Sequence, residues 1–284
     1  MPDNAPSLKL HINRWSLLDE AKSNTEAGVR AHLEKIASAG FDSYCGAPNL
    51  PNIKPLLKEY GLRYGGAFDA GSVDEFAPKI AAHLEIDNGP INCQLADHDT
   101  PTEEAVELTA ALMAEARKQG ARVHLEVHRD TCTETPEKAR AIADGVKAAT
   151  GEVPLMNYDF SHPAIVKHLL PSNYIERLFE PAVIPIFQQS TLWHIRPFNG
   201  HHCQIPITNG RGDFSPEYGD CRPFIRKAIQ HWLAGPRPGN ELWIMPEQGC
   251  TGGYQLSCFP PVWHEAVALG QDIQKMWAEE VAAL

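Results

Sequence analysis

The sequence predicts an α/β fold, a single (β/α)8 barrel over residues 1–284, on three observations. Short apolar runs alternate with longer segments of helical period; there are eight runs; and polar residues end many of them. Alternation of this kind gives a parallel sheet, and eight strands close a barrel of about 250 residues. A doubly wound sheet fits less well, because no GxGxxG opens the first βα turn and the polar ends are not confined to one crevice.

Taken in order, the strand runs are LKLHINRW (8–15), FDSYCGA (41–47), LRYGGAF (62–68) and INCQLAD (91–97). RVHLEVH (122–128), VPLMNYDF (153–160), TLWHIRPF (191–198) and ELWIMPE (241–247) follow. Each is short and apolar with polar residues at its end, as buried parallel strands should be. Helical spacing marks TEAGVRAHLEKIASAG (25–40) and TPTEEAVELTAALMAEARKQG (100–120). The second opens on Thr-Pro with an acidic first turn and stops at Gly120, the expected caps. TPEKARAIADGVKAATG repeats that design from Thr135 to Gly151, and the amphipathic segment 261–284 closes the ring. The longest irregular stretches, 198–220 and 248–261, follow strands seven and eight and predict extended loops there.

Composition narrows the function classes. No stretch of about 18 apolar residues is present, so no membrane span is expected. The net charge of −11 is a poor match to a nucleic-acid backbone, so no nucleic-acid partner is expected. Seven cysteines without close CxxC spacing, and a start (MPDNAPSLKLHINRW) without a secretory pattern, point to reduced thiols in a cytoplasmic protein. The 198–220 loop and six tryptophans leave room for a homo-oligomer.

In a barrel the carboxyl ends of the strands converge on one pocket. There the second half of the chain sets Glu126 and His128 after strand five, Asp159 and His162 after six, His194 and Arg196 after seven, and Glu247 after eight. Each has an ordinary use alone: Asp159 as a helix cap, His194 as a packed core imidazole, Glu247 in a turn. Together, three carboxylates in one pocket would repel one another unless a cation sat among them. Glu126, Asp159, His194 and Glu247 therefore read as ligands of one divalent ion, Mn2+ or Mg2+ first, with Co2+ or Zn2+ as alternatives. In the first half, His11 and Trp15 end strand one, Phe68 ends strand three, and His98 follows strand four, an aromatic wall with imidazoles suited to a sugar. GCTGGY (249–254) has the glycines of a phosphate cradle but no nearby lysine, and reads first as a turn.

The segments LEVHRDTCTETP, NYDFSH, HIRPFNGHHCQIP and MPEQG resemble the signature segments of the xylose isomerase-like TIM barrels, the sugar phosphate isomerase/epimerase superfamily. The resemblance covers strands five to eight with specific motifs, and strands one to four by architecture. It implies a metal held by Glu126, Asp159, His194 and Glu247, with Glu126 and Glu247 also the catalytic acid/base pair. It implies substrate contacts from His162, Arg196, His128, Arg129 and Gln204. The activity implied is a metal-dependent isomerase or epimerase of a carbohydrate or related hydroxy-ketone, abstracting a proton beside a chelated carbonyl through an enediolate. The alternatives are a lyase, dehydratase or C-glycoside-cleaving enzyme on the same scaffold. A hydrolase like the related DNA-repair endonucleases and a sugar-binding barrel without catalysis fit less well.

Overall fold

The computed structural model describes residues 5–18 and 24–284. Residues 1–4 of the amino-terminal stretch considered for a leader lie outside that range. Eight parallel strands form the sheet: β1 (Ser7–Asn13), β2 (Ser43–Cys45), β3 (Arg63–Ala70), β4 (Ile91–Leu95), β5 (Val123–Val127), β6 (Met156–Tyr158), β7 (Leu192–Ile195) and β8 (Glu241–Pro246). Every one falls within or beside a run read from the sequence. The strand order is β6-β5-β4-β3-β2-β1-β8-β7, so β1 pairs with β8 and the barrel is nearly closed. Among the described residues no backbone ladder joins β6 to β7.

Helices α1 (Glu26–Ser38), α2 (Ile53–Glu59), α3 (Phe76–Leu84), α4 (Thr102–Gln119) and α5 (Pro136–Thr150) follow the first five strands. Their sequences explain them. In α5, Ala139, Ile142, Ala143 and Val146 recur at i, i+3, i+4, i+7 and are buried. Thr135 caps its first turn by accepting from Lys138 N, and Gly151 ends it in the left-handed conformation. After β6 the expected single helix is three short ones, α6 (Ser161–Val166), α7 (Tyr174–Leu178) and α8 (Ile184–Phe187). Pro163, Pro171, Pro181 and Pro185 explain the division, since proline removes a helical donor and clashes with the preceding turn. Helices α9 (Pro216–Leu233) and α10 (Val262–Ala282) follow β7 and β8 after the two extended loops. None of the helices among the described residues is long and apolar enough to cross a membrane.

Strand alternation divides the interior into two environments. On β5, Val123, Leu125 and Val127 belong to the apolar core, whereas His124 and Glu126 meet Thr191 and His194 inside the barrel. Helix-side packing is aromatic around β6 and β7: Trp193 stacks on Phe187 at 4.4 Å, and Phe160 packs on Phe179 and Phe224 at 5.0 Å each. The barrel interior is the polar side, and it leads upward to the site.

The β3–β4 junction gives a stability test. A Cβ on Gly89 would lie 2.0 Å from the Tyr64 main-chain oxygen, which cannot yield as a side chain can. Gly89→Ala is expected to cost about 3 kcal/mol in urea unfolding, the upper end for overpacking. Thr135→Ala, which removes only a cap, should cost about 1 kcal/mol. Equal costs would mean that the loop before β4 re-routes freely.

Candidate active site

The site starts from period-2 alternation in four adjacent strands. On β4 it turns Asn92 and Gln94 inward; on β5, Glu126; on β6, Asn157; on β7, His194. Asn92 Nδ2 and Gln94 Nε2 both donate to Glu126 Oε2, at 2.6 and 3.0 Å. Asn157 Nδ2 donates to Asn92 Oδ1 at 2.9 Å, and Asn157 Oδ1 accepts from His194 N at 2.8 Å. His194 Nδ1 lies 2.9 Å from Glu126 Oε1. These bonds form a closed ring, His194–Asn157–Asn92–Glu126–His194, which spans the β6–β7 seam that the backbone leaves unpaired.

Glu247 approaches from β8. Its Oε2 lies 3.5 Å from His194 Nδ1 and pairs with Arg196 Nη2. Glu126, His194 and Glu247 are all buried, and their potential ligand atoms lie within 4.8 Å of one another. Asp159 stands beside this trio, outside that mutual distance. Its Oδ1 caps Ser161 N at 2.9 Å, while its Oδ2 lies 3.5 Å from Arg196 Nη2 and 3.2 Å from His162 Nε2. Asp159 Oδ2, His162 Nε2 and His194 Nε2 are buried without an aligned hydrogen-bond partner among the described residues. Two carboxylate oxygens, an imidazole and an unsatisfied third carboxylate beside them are a donor set that fits a divalent ion.

The charges account for one another. Burial opposes ionisation of Glu126, but the His194 charge and hydrogen bond outweigh it and hold the carboxyl well below its usual range. Glu247 is likewise lowered against burial, by Arg196 and then His194. Asp159 is lowered against burial by Arg196 and His162. His194 is raised despite burial because Glu247 and Glu126 both face it. His11, deeper in the barrel against Ser43 Oγ at 2.8 Å, is pushed down to about 3, chiefly by burial and then by His194, and is neutral.

The sequence-derived substrate candidates divide by position. His162 is fully buried, and its ring centroid is 3.8 Å from that of His128. Trp15 and Tyr254 meet edge to face at 4.7 Å, and the Arg196 guanidinium lies over both rings, at 5.5 and 4.7 Å. Trp15 covers Gly249, where a Cβ would lie 2.3 Å from the indole, so only glycine fits beneath it. Arg129 donates to the Tyr254 hydroxyl at 3.0 Å, at the rim. Gln204 is buried but committed: its amide donates to Gly249 O at 3.0 Å and accepts from Gly249 N at 2.7 Å, joining the two long loops. His98 is not in the pocket. It is exposed and pairs with Asp99 and Asp130 at 3.0 Å each, because Ala96 adopts a left-handed φ of 52° and turns the chain outward after β4. Phe68, on β3, stacks on His83 of α3 at 6.1 Å.

Asn92, Gln94, Asn157 and Tyr254 were not among the sequence candidates. The alternation in INCQL places Asn92 and Gln94 on one face, a signal that sequence could have supplied; Tyr254 has no such signature. A cavity of about 760 Å3 opens beside the site, with Gln94 on its wall and Asp69, Glu75, Asp97, Asp99 and Asp130 around it.

No protein-family model matches the chain, and no curated protein matches it. Solved structures do match in fold. A D-allulose 3-epimerase from Methylomonas sp., in complex with D-allulose, aligns with TM-score 0.59 at 15% identity over 97% of this chain and 98% of that chain. A xylose isomerase-like TIM barrel protein from Mycobacterium smegmatis, in complex with magnesium, aligns with TM-score 0.59 at 15% identity over 98% of both chains. A probable 3-DHS dehydratase from Bacillus anthracis aligns with TM-score 0.59 at 11% identity over 94% of this chain and 98% of that chain. The chain thus shares the (β/α)8 fold of these structures over nearly its whole length.

The hydrogen-bonded ring makes a direct prediction. Asn157→Leu leaves both the Asn92 carbonyl and the His194 N–H without partners in a buried place, and should cost roughly 2–4 kcal/mol in urea unfolding. Gln94→Leu breaks one bond to Glu126 at a partly exposed position and should cost about 1 kcal/mol. If Asn157→Leu is as mild as Gln94→Leu, the ring does not hold the seam.

Proposed function

We propose that the protein is a divalent-metal-dependent isomerase or epimerase of a carbohydrate or related hydroxy-ketone, with Glu126 and Glu247 as the acid/base pair. The observation that carries the proposal is the buried convergence of Glu126, His194 and Glu247, with Asp159 beside them. These four residues would hold the metal, as the sequence reading has it. When bound, a divalent ion would polarise a carbonyl and its neighbouring hydroxyl and acidify the carbon-bound proton between them.

The remaining work falls to the chain. Glu126 is fixed by two amide donors on Oε2, which leaves Oε1 turned toward His194 and the pocket. Glu247 is steered by Arg196 from another strand. Two ionised carboxylates arriving from different strands suit a reaction in which one removes a proton and the other returns one. Return to the opposite face of the same carbon gives an epimer; return to the neighbouring carbon gives an aldose–ketose pair. Arg196 and His162 carry donors suited to an enediolate oxyanion. Trp15 and Tyr254 supply an apolar wall that excludes water. The fold shared with a D-allulose 3-epimerase supports this reading. The fold shared with a probable 3-DHS dehydratase supports the second one, a lyase, which begins with the same proton abstraction and then expels a leaving group. The acidic cavity at the mouth disfavours a nucleic-acid substrate. A cytoplasmic setting belongs to the same proposal.

Elemental analysis after dialysis against mixed Mn2+, Mg2+, Co2+ and Zn2+ should find about one equivalent of metal in the wild type and much less in His194→Ala. Ketoses incubated with the protein in D2O should exchange a carbon-bound proton, at least about a hundredfold more slowly with Glu247→Gln. Metal-free wild type, or normal exchange in Glu247→Gln, would overturn the proposal. Product analysis separates epimer or isomer from the unsaturated product of a lyase.

A further inference from the structure

A second cavity, of a different character from the acidic one, lies near the site and shares Tyr254 with its aromatic wall. Between the loops after β5, β7 and β8 lies this cavity, of about 250 Å3, lined by Arg129, His201, His202, Gly252, Gly253 and Tyr254 among others, none of them acidic. The first cavity, by contrast, is lined by six carboxylates and one lysine, Lys79. The two cavities meet the same short turn after β5, since Arg129 lines one and Asp130 the other.

Donors around the smaller cavity are uncommitted. Arg129 is partly buried, spends Nη2 on the Tyr254 hydroxyl at 3.0 Å, and pairs with no carboxylate among the described residues. Gly252 and Gly253, both left-handed at φ 67° and 80°, donate neither N–H to any described group and present no side chain to block approach. His202 uses Nδ1 on Asn199 Oδ1 at 3.1 Å, which leaves Nε2 available. A guanidinium without its own carboxylate, beside free main-chain N–H groups and imidazoles, is the chemistry that recognises an oxyanion. Tyr254 connects this cavity with the centre: it lines the cavity, and its ring centroid lies 5.5 Å from the Arg129 guanidinium and 4.7 Å from that of Arg196.

We propose that this cavity is an anion subsite, which takes the carboxylate or phosphate end of the substrate whose reacting carbon lies at Glu126 and Glu247. The substrate class is then a sugar acid or sugar phosphate, not a neutral sugar. The glycines of GCTGGY thereby acquire the cationic partner that their own segment lacks: it is Arg129, supplied from the far side of the mouth. As the end of a substrate this subsite rests on the function proposed above; as an anion site it stands independently.

The test uses the full chain, with inorganic phosphate and glycolate as separate probes at low ionic strength and calorimetric titration as the readout. At least one probe should bind the wild type, bind Arg129→Gln roughly tenfold more weakly or worse, and bind His194→Ala as well as the wild type. Phosphate binding without glycolate binding would assign a sugar phosphate, and the reverse a sugar acid. Failure of both probes to bind the wild type overturns the subsite, as does full binding to Arg129→Gln. Loss in His194→Ala with retention in Arg129→Gln would place the anion at the centre and also overturn it. If Arg129-dependent anion binding persists while metal binding and proton exchange are absent, the proposed function fails and the subsite stands. If neutral ketoses exchange their proton and Arg129→Gln changes nothing, the subsite fails and the function stands.

Discussion

Glu126 is held by a ring of side-chain hydrogen bonds that also spans the gap in the barrel. Among the described residues seven strand pairs are joined by backbone ladders, and β6 with β7 is not. At that seam the Asn157 side chain substitutes for the ladder, accepting from the His194 N–H and donating to Asn92, which donates to Glu126. A buried carboxylate is costly unless its lone pairs are satisfied, and a barrel seam is weak unless its free donors are. One set of amides meets both needs. It ties the orientation of the central carboxylate to closure of the fold, so the site cannot loosen without strain at the seam.

The same economy sets the charge of the pocket. Glu126, Asp159 and Glu247 contribute three negative charges, which Arg196 and a protonated His194 oppose, with the His162 imidazole 3.2 Å from Asp159. Arg196 bridges Glu247 to Asp159 and lies over Trp15 and Tyr254, so it is fixed by charge on one side and aromatic faces on the other. Burial of unpaired charge is what this arrangement avoids, and removing Arg196 would leave two buried carboxylates facing each other. His194 is the adjustable member: its proton now serves two carboxylates, and as a metal ligand it would be the neutral imidazole instead.

Much of this is legible in the sequence. All eight strands are, because buried parallel strands are short apolar runs bounded by polar ends, and the capped helices α4 and α5 are, because Thr135, Gly120 and Gly151 mark their ends. Convergence of Glu126, His194 and Glu247 followed from the rule that barrel strand ends face one pocket. What sequence could not supply was the direction in which loops leave those ends. His98 points away because one left-handed residue, Ala96, turns the chain, and Gln204 is occupied by Gly249 from a loop 45 residues later. Asn92 and Asn157 were legible as inward positions, but nothing local says that their amides meet across three strands. The helix after β6 is broken by four prolines that are visible in the sequence, so that difference was available and concerns packing rather than the site.

The loops above the site differ in how firmly they are fixed, and this bears on where specificity lies. The β7 loop is anchored by Glu265 of α10, whose carboxylate accepts from Ile207 N, Thr208 N and Thr208 Oγ1 in a buried setting. Gln204 then locks that loop to Gly249, and Ser16 Oγ donates to Gln248 O at 2.7 Å, fixing the β1 and β8 ends together. Beyond Gly249 the contacts are fewer: Cys250 Sγ donates to Trp15 O, Trp15 Nε1 donates to Thr251 Oγ1, and Tyr254 is held by Arg129, by Gln204 at 3.4 Å and by the edge-to-face contact with Trp15. Buried bonds therefore become sparse beyond the loops that frame the carboxylate cluster. Residues that would meet the distal part of a ligand hang on a few partly exposed contacts, which cost little to rearrange. Such a division lets the centre keep one geometry while the outer loops adapt to what binds above it. Under the proposed function, substrate identity would then be read by the loop beyond Gly249, and the chemistry set by the firmly bonded centre.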